Sequence, residues 1–123
     1  MGLFSQIKRS RDKTRLMAKV IDALKDIHNK QAIDNAIWDY YNFIANDYIL
    51  GKIITYYNAD YELVRYLILE LNEMCGGEFG SWIRGQYLPV STFGFSNSLE
   101  YALREYRNGT SMVVIWNELT KLM

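Results

Sequence analysis

The sequence predicts an all-α domain, a compact array of five or six helices with one ordered aromatic and glycine-rich loop at about residues 76–96. Two observations carry this. Apolar residues recur at three- and four-residue steps through most of the chain. Cap and stop residues then divide those runs into short helices. At 123 residues, half of them apolar, the chain suits one domain spanning 1–123 with a core of its own. No internal repeat is visible.

The first helix is expected over 5–28. Ile7, Thr14, Met17, Ile21 and Leu24 form its stripe, widened by Val20 and Ile27. Ser5 or Ser10 offers a start cap. The first turns are polar, and fraying is expected there. A second run over 31–50 places Ile33, Ile37, Tyr41, Ile44 and Tyr48 on one face, with Trp38, Tyr40 and Phe43 beside it. So wide an arc suits a helix buried on more than one side. Gly51 is expected to end or bend that run. The stretch 52–57 has the β-branched and aromatic content of a strand. It has no partner strand, however, and a helical turn is favoured.

Asn58 or Asp60 caps the next helix, 60–75, whose stripe is Leu63, Val64, Leu67, Ile68 and Leu71. Gly76-Gly77 stops it. Residues 76–96 hold Gly76, Gly77, Gly80, Gly85, Gly94, Pro89 and the rings of Phe79, Trp82, Tyr87, Phe93 and Phe95. A short helix around 78–84 is compatible with this segment. Asn97-Ser98-Leu99-Glu100 reads as a capping box for a helix to about Arg107, with Leu99, Ala102, Leu103 and Tyr106 inward. Asn108-Gly109 closes it. Thr110 or Ser111 then caps a last helix with Met112, Ile115, Trp116, Leu119 and Leu122 on one face. Residues 112–116 also suit a strand, but the spacing that continues to Leu122 favours a helix.

Composition bounds the function. No apolar run approaches the roughly 20 residues of a membrane span. No secretory pattern is expected, because no long apolar stretch follows the basic start. Met1-Gly2-Leu3-Phe4-Ser5-Gln6 misses an N-myristoylation pattern at Gln6, where Ser or Thr belongs. The single cysteine, Cys75, has no partner for an internal disulfide, and a cytoplasmic setting is expected. At a helix C-terminus it lies at the wrong end of the dipole for a nucleophile and reads as a small hydrophobe.

Catalytic and metal patterns are absent from the reading. His28 is the only histidine, so a zinc site and a Ser-His-Asp arrangement both lack residues. Asp34, Asp39 and Asp47 do not share a face at ligand spacing. Glu70 and Glu73 sit three apart, a pair common on solvated helices. Gly76-Gly77-Glu78-Phe79-Gly80 lacks the spacing and lysine of a phosphate-binding loop. Asn108-Gly109-Thr110 matches a glycosylation sequon but already has a role as a turn. No metal and no cofactor are expected.

Two features point outward. Residues 1–19 carry Lys8, Arg9, Arg11, Lys13, Arg15 and Lys19 against Asp12, a net of +5. The remaining residues carry eight basic and thirteen acidic side chains, a net of −5. On a helix Lys8, Arg11, Arg15 and Lys19 share one side. A basic head of that kind meets nucleic acid, an anionic membrane or an acidic protein, or is simply a solvated face. The second feature is the 76–96 segment in a chain with ten tyrosines and three tryptophans. Trp82, Arg84 and Tyr87 are residue types that anchor interfaces, although such rings also cap small cores.

The leading expectation is a non-catalytic protein-interaction module, a small adaptor or inhibitor-like protein that binds a partner or itself, with Trp82, Arg84 and Tyr87 in contact. The alternative is a binder of an anionic surface, nucleic acid or membrane, through Lys8, Arg9, Arg11, Arg15 and Lys19. A second alternative is an enzyme whose site is assembled in space around Glu78, Arg84 and Tyr87.

Overall fold

The computed structural model describes residues 3–48, 50–79 and 100–121. All regular structure among them is α-helical, and no strand occurs among them. The elements are α1 (Leu3–Leu24), α2 (Lys30–Asn46), α3 (Leu50–Tyr56), α4 (Tyr61–Met74), α5 (helical residues 100–107) and α6 (Met112–Thr120). α1 packs on α2, α2 on α3 and α4, and α4 on α6. The two central helices, α2 and α4, therefore share a core with every neighbour. Among the described residues no helix is long and apolar enough to cross a membrane.

α1 begins before either serine that was expected to cap it, so Ser5 and Ser10 lie inside the helix. It also stops earlier than expected. Lys25 and Asp26 donate to Asp22 and Ala23, three residues back, which tightens and ends the last turn. The Asn29 side chain then accepts from the Ala32 amide at 3.2 Å and starts α2. Ile27 falls in that turn and is 52% exposed, outside the stripe it was assigned to. Leu16, Met17, Val20, Ile21 and Leu24 are buried, so the C-terminal half of α1 is docked and does not project.

In α2 the buried set is Ile33, Ala36, Ile37, Tyr40 and Ile44. The expected face was misplaced at its aromatic positions. Tyr40 is fully buried, Tyr41 half-buried and Tyr48 exposed. The helix ends at Asn46, and Asp47 and Tyr48 make the turn. Gly51 does not end this run; it lies in the first turn of α3 and donates its N–H to the Asp47 carbonyl at 2.9 Å. A Cβ at this position would stand 2.7 Å from the carbonyl oxygen of Ala45. The absent side chain is what lets α3 start against the end of α2.

Residues 52–56 are helical, as the lack of a partner strand implied. α3 is finished by a distant residue. Arg107 donates from Nε to the Tyr57 carbonyl at 3.0 Å and from Nη2 to the Asn58 carbonyl at 2.6 Å. These contacts join the end of α5 to the end of α3, where carbonyls lack helical partners. Arg107→Ala is expected to cost about 1 kcal/mol, read as a lower urea midpoint. Arg107→Lys, which loses the fork geometry, should recover only part of it.

Asn58 adopts φ 49°, a left-handed conformation that Asn tolerates better than most residues. Asp60 then caps α4, its Oδ1 accepting from the Leu63 amide at 2.9 Å. All five predicted stripe residues of α4 are buried. Gly76 and Gly77 follow at φ 74° and 84°, and their amides return to the carbonyls of Glu73 and Asn72. Asn72 is itself buried, and its Oδ1 accepts from the Phe79 amide at 3.3 Å. This bond satisfies a buried donor and sets the Phe79 ring, 1% exposed, into the core.

Ala102 and Leu103 carry α5 into the core. Gly109, at φ 88°, closes it, and Ser111 Oγ accepts from the Val114 amide to open α6. Met112, Ile115 and Leu119 are buried at helical spacing, with Trp116 partly so, which settles 112–116 as helix. Leu99, Leu122, the Asn97 to Leu99 part of the expected capping box and most of the 76–96 segment lie outside the described residues.

Candidate functional site

Among the described residues, a cluster of three rings joins α2 to α4. Trp38, 49% exposed, meets the Tyr61 ring edge-on at 5.1 Å and 75°. Tyr41 lies 6.0 Å from both. Trp38 and Tyr41 share a face because they are three apart on α2. Tyr61 arrives from the first turn of α4, just past its cap.

Polar contacts lock this geometry. The Tyr61 hydroxyl donates to the Asp34 carbonyl at 3.2 Å, and Arg65 Nε donates to Asp34 Oδ1 at 2.7 Å. Burial and the neighbouring Asp34 carboxylate push the Tyr61 hydroxyl above its ordinary range, so it stays a donor. The hydrogen bond to Asp34 holds the Arg65 guanidinium more firmly charged. The result is a half-exposed tryptophan on fixed neighbours, with one partly exposed ion pair beside it.

Trp38, Tyr41, Tyr61 and Arg65 were not selected from the sequence as a site. The signal was present in part. Asp34, Trp38 and Tyr41 fall at i, i+4 and i+7 on the predicted second helix, with Arg65 and Tyr61 four apart on the next. Nothing in a single sequence showed that those two faces meet.

The basic head resolves into two sides. Lys8, Arg11, Arg15 and Lys19 are exposed on α1, opposite the face that carries Met17, Val20 and Leu24 into the core. Lys13 turns the other way and is 8% exposed. Arg15 meets Asp12 at 3.9 Å, and no described acid pairs with Lys8, Arg11 or Lys19. Arg9 belongs to the helical backbone, and its side chain lies outside the described set.

A groove of about 730 Å³ runs between the end of α1 and the C-terminal half of α4, lined by Leu24, Ile27, Leu69, Glu70, Glu73 and Gly76 among others. A smaller hollow of about 150 Å³ continues it past Ile33 to Asp34 and Arg65. Glu70 and Glu73 both line the larger groove. Among the described residues no serine, cysteine or histidine lines either hollow. Glu78 is exposed and lines neither of them. Among the described residues no three His, Cys, Asp or Glu side chains converge as metal ligands.

His28 is exposed in the α1–α2 turn, its own amide donating to Asp26 Oδ1. Cys75 caps α4, half-buried, with Sγ donating to the Asn72 carbonyl at 3.2 Å. Burial pushes its thiol up, the direction that quenches a nucleophile. Trp82, Arg84 and Tyr87 lie outside the described residues.

No protein-family model, curated protein or solved structure matches this chain. Its function is therefore argued from its own surfaces.

Proposed function

We propose that this chain is a non-catalytic protein-interaction module, an adaptor or inhibitor-like protein that presents an aromatic surface to a partner. The observation that carries this reading is the half-exposed Trp38, braced by Tyr41 and Tyr61 beside the Arg65–Asp34 pair. Trp, Tyr and Arg are the residues that most often dominate interface energetics. Their fixed arrangement means little side-chain freedom is left to lose on binding. Trp82, Arg84 and Tyr87 extend the proposed contact set by residue type. The lone Cys75 supports a cytoplasmic setting, where thiols remain reduced.

The test is quantitative capture from lysate of the native host. Trp38→Ala should weaken retention of a discrete partner by about tenfold or more, with the helical circular dichroism unchanged. A Trp82→Ala/Tyr87→Ala variant tests the second part of the contact set separately. Equal retention by all three chains removes the aromatic reading. Light scattering over a wide concentration range tests its self-associating version, which a strict monomer excludes.

A second reading has its own observation. Lys8, Arg11, Arg15 and Lys19 form an exposed row on the outer side of α1, suited to an anionic surface. Binding through such a row falls steeply with salt.

A further inference from the structure

We propose that the outer side of α1 docks on an anionic lipid surface, with Lys8, Arg11, Arg15 and Lys19 facing the headgroups. This rests on the second reading above and names its surface.

The row spans twelve residues of one helix, eleven steps or about 16 Å at the helical rise. Its four side chains are exposed, and among the described residues only Arg15 of the four is ion-paired, with Asp12 at 3.9 Å. The opposite face is closed against the core by Leu16, Met17, Val20 and Leu24. A flat approach therefore presents the cations without exposing the core. The row ends at Asp22, which is paired with Lys25 at 3.1 Å. The molecule should thus meet the surface with the N-terminal two-thirds of α1.

Charge decides between a plane and a polyanion. The rest of the chain carries −5, which repels any anionic partner that comes close to it. α1 packs chiefly on α2, so a plane against its outer side lies one helix diameter, about 10 Å, from the body. That distance is close to the Debye length at physiological salt, about 8 Å. The body's repulsion is screened while the row is in contact.

A nucleic acid finds less here. Binders of single strands set several aromatic platforms among their cations, whereas the sequence of α1 has one aromatic residue, Phe4, ahead of the row. Among the described residues the exposed rings sit on α2, α3 and α4 and in the α2–α3 turn. A lipid surface also attracts basic side chains independently of one another, and so needs no further partner groups.

The experiment is vesicle sedimentation with the full chain. Phosphatidylcholine vesicles are compared with vesicles that also contain phosphatidylserine, at low and physiological salt. Duplex DNA and single-stranded RNA are titrated in parallel by anisotropy. The expected result is binding only to the phosphatidylserine vesicles, weakened by salt. The Lys8→Gln/Arg11→Gln/Arg15→Gln/Lys19→Gln variant should lose on the order of a hundredfold in partition. A Lys8→Arg/Lys19→Arg variant should keep it. Circular dichroism melts show that both variants fold.

Binding to nucleic acid without vesicle binding overturns the lipid assignment and leaves the cationic row standing. Equal binding to both vesicle types overturns the electrostatic argument. No binding to vesicles or nucleic acid at low salt removes the row as a docking surface altogether and leaves the aromatic reading untouched.

Discussion

Phe79→Ala is expected to lower the free energy of unfolding by about 3–5 kcal/mol. The ring is 1% exposed and belongs to the common core. The side chain's removal leaves the amide bond to Asn72 Oδ1 intact, so the loss is one of apolar contact and cavity formation. That is a large fraction of the 5–15 kcal/mol typical of a domain. Urea unfolding should show a lower midpoint with an unchanged slope. A loss below about 1 kcal/mol, the scale of surface substitutions, would show that the ring does not hold the residues after Gly77 to the core. The sequence placed Phe79 in the aromatic and glycine-rich segment, within a stretch around 78–84 compatible with a short helix. The structure makes it the point where the chain beyond α4 is pinned.

Gly51→Ala tests a matter of sign. A glycine inside a helix ordinarily costs up to about 1 kcal/mol relative to alanine, so the substitution would be expected to stabilise. Here the added Cβ meets the Ala45 carbonyl oxygen at 2.7 Å. That oxygen is backbone in the last turn of α2 and has no rotamer to swing away. The predicted result is a loss of about 1–3 kcal/mol, the scale of overpacking. A gain in stability would mean that α3 does not start against the end of α2. Thermal melts of the two chains decide it.

The parts of the fold that were legible share a physical cause. α4 has a strong apolar stripe between an Asp cap and two left-handed glycines, and each signal is local. The Ser111 cap and the Asn108-Gly109 turn were readable for the same reason. The errors arose where local rules had two outcomes. Gly51 serves a helix start as well as a helix end, and only the neighbouring carbonyl decides which. Tyr40 and Tyr41 are adjacent on a wide apolar arc, and burial selects Tyr40 because α2 packs on three neighbours. Asn29 falls between the two expected helices, and its side chain caps α2.

The candidate surfaces differ in the same way. The basic row was visible because one helix carries it. The Trp38 cluster was not visible, because it needs two helices to bring Tyr61 and Arg65 to Asp34, 27 and 31 residues away in sequence. Arg107 at the end of α3 is a similar case, its partners lying 49 and 50 residues away.

The central claim is that this chain acts by binding a protein through exposed, braced aromatic rings. The most direct measurement is quantitative capture from native lysate with the wild-type chain and Trp38→Ala side by side, each shown to be folded. The account predicts a discrete partner retained by the first chain and depleted about tenfold or more with the second. The same partner held equally by both would contradict it.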